Sequence, residues 1–126
     1  MKSLRIPMSI RKAEEYIAEG DYSSASEIVK VVLNKKKDYP PARYIKARLL
    51  IQQSQYILAI AELNSILALP DFSKYISELE IHYHLAELYN LTKNYQKEIE
   101  EYKAILSFNP DDIKANHRLG HAFYQL

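Results

Sequence analysis

The chain has 126 residues, 48% of them hydrophobic and 26% charged, which is typical of one folded domain and argues against disorder. Its 17 Lys and Arg nearly balance 16 Asp and Glu, so charge predicts neither nucleic-acid nor membrane binding. The absence of Cys excludes disulfides, thiolate metal sites and a cysteine nucleophile. No segment looks like a signal peptide or a membrane span, so we expect a cytoplasmic protein.

Seven helices are predicted along the chain, because apolar residues recur at intervals of three and four. Their approximate ranges are 7–19, 22–36, 41–53, 55–68, 73–92, 94–107 and 112–125. Prolines lie where helices begin or end, at Pro7, Pro40 and Pro110. The predicted N-caps are Asp71, Ser73 and Asp111. Residues 71–75 are expected to lengthen the start of the fifth helix by about a turn and a half.

A repeated unit is visible in the helices. Three segments align without gaps, beginning at Gly20, Ser54 and Lys93, and each has Tyr at its third position. The helix before each segment carries a small residue three places before a bulky one, at Ala13, Ala47 and Ala86, and the last helix repeats the pattern at Gly120. Positions 13, 47, 86 and 120 are 34, 39 and 34 apart. The unit is therefore a helix pair that recurs every 34 residues, with an insertion between the second and third copies. Such pairs bury their apolar faces by stacking on one another.

The segment NYQKEIEEYKAILSFNPDDIKANHRLGHAFY resembles the tetratricopeptide repeat. Its matching positions are Tyr95, Tyr102, Pro110, Asn116, Leu119, Gly120 and Phe123. The resemblance extends from about Pro7 to the end of the chain. It implies an all-α fold of about seven helices, a right-handed superhelical stack of antiparallel hairpins (a tetratricopeptide-like α-solenoid). We expect one domain over residues 1–126, with repeats at about 6–39, 40–73 and 79–112 and a half-repeat at 113–126.

Three residues depart from the family pattern. Lys12 and Lys46 stand where the family prefers Leu, and Glu98 replaces a small residue. Glu98 is the one carboxylate predicted near a helix–helix contact, which would suit an acid or base with a raised pKa. We favour the alternative, that its side chain bends to the edge of the contact or meets a basic neighbour.

In tetratricopeptide proteins the first helix of each hairpin lines a concave groove, and the resemblance implies the same here. The residues on that face combine Tyr with Arg and His, which is typical of protein interfaces. The predicted peptide-binding residues are Arg11, Tyr44, Arg48, Tyr83, His84, Glu87, Lys114, His117, Arg118, His121 and Tyr124. We therefore predict an adaptor or scaffold that binds a protein or peptide partner with acidic groups, and we expect Arg48 and Arg118 to carry that preference.

Other chemistry is less well supported. One subclass of the family clamps a C-terminal carboxylate with Lys, Asn and Arg, but only Lys114 and Arg118 match that pattern, which favours a general basic pocket. His117 and His121 project from one helical face and His84 lies on the adjacent first helix, so zinc or nickel is an alternative. We predict no metal, because no carboxylate pairs with these imidazoles. With only two glycines no phosphate loop is expected, and we predict neither a cofactor nor an enzyme.

The last predicted helix suggests a different function. Leu119, Ala122, Phe123 and Leu126 form an apolar stripe, part of which would face a second helix of the same repeat. We predict that this stripe is a docking surface. Under this alternative the chain is a structural segment of a larger protein, which continues into further repeats or pairs with a second copy through the last helix.

Overall fold

The structure is a computed structural model that describes residues 2–126, with side chains described from Ile6 onward. Met1, the first residue of the predicted domain, lies outside the described residues. Residues 2–126 contain seven α-helices and one short 3₁₀ helix, and no strand. The α-helices are α1 (Lys2–Ala18), α2 (Tyr22–Lys35), α3 (Pro40–Gln52), α4 (Tyr56–Leu67), α5 (Glu78–Leu91), α6 (Tyr95–Phe108) and α7 (Ile113–Gln125). The predicted all-α class is confirmed.

The chain consists of two compact units, Met1–Tyr75 and Ile76–Leu126. In the first unit α1 packs on α2 and α3 packs on α4, and α2 also packs on α3. In the second unit α6 packs on both α5 and α7. The alanines predicted at helix–helix contacts are all fully buried, namely Ala13, Ala25, Ala47, Ala59 and Ala86. Small residues at these positions let helix backbones approach closely, as the repeat pattern predicted.

The helix pairs reverse direction at three equivalent residues, which begin the three aligned segments. Gly20 has φ 82°, Ser54 has φ 61° and Lys93 has φ 60°. A left-handed backbone of this kind is favourable only for glycine. The first turn therefore uses the residue that suits its geometry, whereas the second and third retain some backbone strain.

The inserted residues between the second and third repeats do not lengthen α5, so that prediction is wrong. Residues Phe72–Lys74 form a separate 3₁₀ turn, which begins after Asp71 with φ 61°. The left-handed Asp71 interrupts any helix, and α5 begins only after Ser77, whose side chain accepts a hydrogen bond from the Glu80 amide. Phe72 is buried and Tyr75 packs edge-on against Tyr39, with ring centroids 5.5 Å apart.

Some helix N-caps lie one or more residues away from the positions predicted for them. Asp112, not Asp111, caps α7, because its carboxylate accepts a hydrogen bond of 3.0 Å from the Ala115 amide. Asp21 and Asn94 cap α2 and α6 in the same way. Within the described residues no helix is both long and apolar enough to cross a membrane.

The two lysines that replace family leucines form ion pairs. Lys46 Nζ lies 3.2 Å from Glu62 Oε1, and Arg43 Nε lies 3.3 Å from Glu62 Oε2, so two cations of α3 meet one carboxylate of α4. Lys12 Nζ lies 3.7 Å from Glu15 Oε2 within α1. Exposed and half-buried ion pairs thus replace apolar contact at these positions.

Candidate peptide-binding site

The first unit contains three of the predicted peptide-binding residues. Arg48 Nη1 lies 2.8 Å from Glu14 Oε2, and the Arg48 guanidinium carbon lies 6.0 Å from the centre of the Tyr44 ring. A ligand carboxylate would have to compete with Glu14 for this guanidinium. Arg11 is exposed on α1. The cationic character predicted for Arg48 is therefore offset within the protein.

In the second unit, α5 and α7 carry the other eight predicted residues. Lys114 Nζ lies 5.3 Å from the centre of the Tyr83 ring, over its face. The Tyr83 hydroxyl donates a short hydrogen bond to Asp112, the residue that caps α7. Burial and this hydrogen bond raise the pKa of Tyr83 to about 12, and the same bond lowers the pKa of Asp112. Tyr83 thus fixes the start of α7 beside α5.

The exposed cations of this face are available to a ligand. Lys114 and Arg118 are exposed one turn apart on α7, and no ion pair among the described residues uses either of them. His117 and His121 are also exposed, and Tyr124 is 88% exposed. His84 is half-buried on α5, and Glu87 is the exposed carboxylate of that face.

A cavity of about 260 Å³ opens on this face, lined by Asn90, Glu98, His117, Arg118 and His121. Glu98 is only 2% exposed, so its side chain does not bend to the edge of the contact. It lies instead near basic neighbours, the other arrangement expected for it, because Arg118 and His121 line the same cavity. The Asn90 side-chain nitrogen donates to both Glu98 oxygens, at 3.3 and 3.4 Å, which stabilises the carboxylate inside. Burial nevertheless raises the pKa of Glu98, against the opposing effects of Asn90, His121 and Arg118.

Tyr102 adds a second buried polar group next to Glu98. Its hydroxyl has no hydrogen-bond partner within the part of the chain that the structure describes, and its ring is fully buried. Burial raises the pKa of Tyr102, the Glu98 charge raises it further, and Arg118 opposes both. Arg118 therefore lies beside this hydroxyl and favours its charged form, although the two groups make no hydrogen bond of good geometry.

The predicted docking surface on α7 is partly wrong. Ala122 is fully buried, and Leu119 packs against the cluster that contains Tyr102 and Ala115, because positions 115, 119 and 122 share the helical face that contacts α6. Phe123 is 50% exposed and Leu126 is 67% exposed.

Two further features concern the same helix. A Cβ atom built on Gly120 would meet nothing within 4 Å, whereas the equivalent Ala86 is fully buried. Among the described residues, no group of three or more His, Asp or Glu side chains is arranged to hold a metal ion.

The hairpins, with small residues at their contacts, define a helical-repeat protein. Residues 79–112 match the tetratricopeptide repeat family model. Together with solved structures of the same fold, this match confirms the predicted resemblance: residues 79–112 are a tetratricopeptide repeat, and the fold is that of tetratricopeptide domains.

Three solved structures illustrate the similarity. The MamA RS-1 ArsTM double mutant has a TM-score of 0.77 and 16% identity, over 95% of this chain and 65% of its own length. The first TPR of Spaghetti (RPAP3), bound to the HSP90 peptide SRMEEVD, has a TM-score of 0.78 and 14% identity, over 97% of this chain and 93% of its own. The first TPR domain of human RPAP3, solved by NMR, has a TM-score of 0.74 and 14% identity, over 95% of this chain and 91% of its own.

This chain thus spans 65% of the length of the MamA protein that it matches. No curated protein matches the chain in sequence.

Proposed function

We propose that the chain is a protein-interaction module that binds an acidic peptide of a partner protein on the exposed face of α5 and α7. The observation that carries this proposal is the pair of exposed cations, Lys114 and Arg118, which form no ion pair within the described residues. Carboxylates of a peptide would supply the missing partners, and charge-assisted hydrogen bonds of this kind are stronger than neutral ones.

Aromatic side chains support the proposal with apolar contact area. Tyr124 is 88% exposed on α7, and Tyr83 is half-buried beneath Lys114. Tyr and Arg are enriched among the residues that dominate binding energy at interfaces. The Spaghetti domain of the same fold is bound to the peptide SRMEEVD, which contains Glu and Asp, and this likeness favours an acidic partner here.

The first unit offers less unpaired charge to a peptide. Arg48 is already paired with Glu14, so we expect Arg11 and Tyr44 to offer contact area and local positive charge without a dominant ion pair. The acidic preference is therefore proposed to lie with Arg118 and Lys114 more than with Arg48.

Selection from a random peptide library on the immobilised full chain tests the proposal. We expect the selected peptides to be enriched in Asp and Glu, and their binding to weaken with added salt, because the Debye length falls to about 8 Å at physiological ionic strength. The Lys114→Ala/Arg118→Ala variant should lose this enrichment. The control Lys35→Ala/Lys37→Ala removes two exposed cations at the end of α2 and should keep it. Selected peptides without acidic residues, or equal selection by both variants, would disprove the proposed site.

Self-association through α7 is a second candidate. Ile113, Phe123 and Leu126 are large apolar side chains that remain exposed, and exposed apolar area is unfavourable by about 25 cal/mol per Å². A second copy of the chain could cover them. Analytical ultracentrifugation at rising concentration should then show a dimer that Phe123→Asp/Leu126→Asp abolishes, and a monomer at every concentration would eliminate this candidate.

A further inference from the structure

Three positions change together between the first two repeats and the third. The repeats are offset by 34 and then by 39 residues, as positions 13, 47 and 86 show. With these offsets, three equivalent positions hold Ile17, Ala25 and Val29 in the first repeat. They hold Ile51, Ala59 and Leu63 in the second, and Asn90, Glu98 and Tyr102 in the third. The first two sets are apolar, and the third set is polar throughout. Tyr102 matches the family pattern, so the change that sets the third repeat apart lies at Asn90 and Glu98, both of which line the polar cavity.

Packing alone does not account for this change. A buried carboxylate or hydroxyl is unfavourable unless it is hydrogen-bonded, and apolar residues already fill the same positions twice in this chain. Asn90 satisfies part of the Glu98 carboxylate, and the remaining lone pairs of this buried group can accept from a further donor. The cavity of about 260 Å³ is several times the roughly 30 Å³ that one water occupies. The pocket can thus hold a group the size of a short polar side chain.

The charges around the cavity restrict what this group can be. Among the lining residues, the buried Glu98 repels an anion and the exposed Arg118 repels a cation. His117 and His121 line the same cavity and add hydrogen-bonding groups. A neutral group with both a donor and an acceptor satisfies the two sides at once. A primary carboxamide has this combination in the smallest space.

We infer that this pocket binds a primary carboxamide, the side chain of an Asn or Gln residue in a bound peptide. The carboxamide N–H would donate to Glu98, which keeps its hydrogen bonds from Asn90, and the carboxamide oxygen would accept from Arg118, which lines the same cavity. This inference rests on the proposed function, because it names a residue type that the partner peptide must contribute. The acidic residues of the peptide would meet Lys114 and the outer part of Arg118.

A titration with small molecules tests the pocket without a partner peptide. Propionamide, propionate and propylamine share a carbon chain and differ in the group that enters. We expect propionamide, added to the ¹⁵N-labelled full chain at pH 7, to shift the amide resonances of residues 90, 98 and 118. Propionate and propylamine should reach the same shift only at a concentration at least about tenfold higher than propionamide. Each of them lacks a hydrogen-bonding partner for one side of the cavity and carries a charge that one lining residue repels.

Three variants make the result specific. Asn90→Ile/Glu98→Ala/Tyr102→Leu gives the third repeat the residues of the second, so it should fold and lose the propionamide response. Glu98→Gln keeps the shape and removes the charge, so propionate should then bind within about threefold of propionamide, since its charge repulsion is gone. Glu100→Gln changes an exposed carboxylate of the same helix and should leave the titration unchanged.

The inference is overturned if propionamide causes no shift, if propionate binds the unchanged chain as well as propionamide does, or if the triple variant keeps the response. These outcomes are separate from the peptide selection. Acidic peptides selected without Asn or Gln, together with a silent propionamide titration, would remove the pocket and leave the proposed function intact. A propionamide response without selection of acidic peptides would remove the proposed function and leave the pocket.

Discussion

The hairpins α3–α4 and α5–α6 place an ion pair at the same position but with different chemistry. In the first, Arg43 Nε lies 3.3 Å from Glu62 Oε2. In the second, at the equivalent positions of the next repeat, His82 Nδ1 lies 3.2 Å from Glu101 Oε1. Arginine stays charged at every physiological pH, whereas histidine titrates near neutrality. The same scaffold position therefore accepts either a permanent or a pH-dependent link between the two helices.

The two hairpins also differ at an equivalent buried position between their helices. Ala59 is fully buried in the first, and the equivalent Glu98 is buried in the second. Glu98 is tolerated because Asn90, which replaces Ile51, donates to both of its oxygens. A polar residue at this contact thus requires a second change on the facing helix. Introducing the polar residue of one hairpin into the other without its partner tests this requirement.

The largest effect is expected from Ala59→Glu, which introduces the buried carboxylate of the second hairpin without its Asn partner. An unpaired buried charge costs about 3–5 kcal/mol, and urea unfolding followed by circular dichroism measures it. Adding Ile51→Asn should recover part of the loss. The reciprocal Glu98→Ala should be neutral or stabilising, and a loss of stability as large as that of Ala59→Glu would contradict the comparison.

Ala59→Leu should have a smaller effect, because it overpacks the contact with apolar atoms only. We expect a loss of about 1–3 kcal/mol in the free energy of unfolding. The control Ala61→Leu lies on the exposed side of the same helix and should change stability by less than about 0.5 kcal/mol. Equal melting temperatures for Ala59→Leu and the unchanged chain would show that the close contact is elsewhere.

Substitutions at the two strained left-handed turns should increase the free energy of unfolding, unlike those at Ala59. Ser54→Gly and Lys93→Gly remove a strained backbone conformation at φ 61° and φ 60°, and each should stabilise the chain by about 1 kcal/mol. Gly20→Ala introduces the same strain at the first turn and should destabilise by a similar amount. The thermal midpoints of the three variants measure this, and a destabilising Lys93→Gly would refute the strain.

The smallest effect is expected from the pH dependence of the His82–Glu101 pair. The hydrogen bond from His82 to Glu101 is the main cause that raises the pKa of His82 above its ordinary value of 6.5, against the opposing effect of burial. A raised pKa means that the stabilisation is fully present below pH 6.5 and is lost as the pH rises through the folded-state pKa. The free energy of unfolding should therefore fall over this interval.

Two substitutions between the hairpins α3–α4 and α5–α6 test whether this pair is the source of the pH dependence. His82→Arg gives the second hairpin the permanent charge of the first, so the fall in stability above pH 6.5 should shrink. Arg43→His should add a comparable dependence to the first hairpin. His117→Gln changes an exposed imidazole of α7 and serves as the control. The same pH profile in His82→Arg and in the unchanged chain would exclude the pair as its source.

Much of the fold followed from spacing, because small residues recurring at a fixed period constrain where helices touch. Ala13, Ala47 and Ala86 were predicted in this way and are all buried. The loop at residues 71–75 was not predictable from the same pattern. Its course depends on the left-handed conformation of Asp71 and on the burial of Phe72, and neither has a periodic signal.

The site was less predictable, since its chemistry depends on pairs of residues that are far apart in sequence. Glu98 is buried because Asn90 donates to its carboxylate, and the alignment of Asn90 with Ile51 is the sequence signal of this coordinated change. An apolar pattern does not tell which side of a helix has a neighbour, so it does not predict the burial of Ala122. The neutralisation of Arg48 by Glu14 did have a signal, which is the opposite charge of the two residues at equivalent positions.

That pair has a consequence for how repeats can be rearranged. Glu14 and Arg48 hold the same position in two successive repeats, and their side chains meet at 2.8 Å. A chain in which the first repeat was duplicated in place of the second would bring two glutamates together there. The equivalent positions later in the chain hold Glu87 and His121. Charge at one position thus distinguishes neighbouring repeats that are otherwise alike in shape, and it opposes exchange of their order.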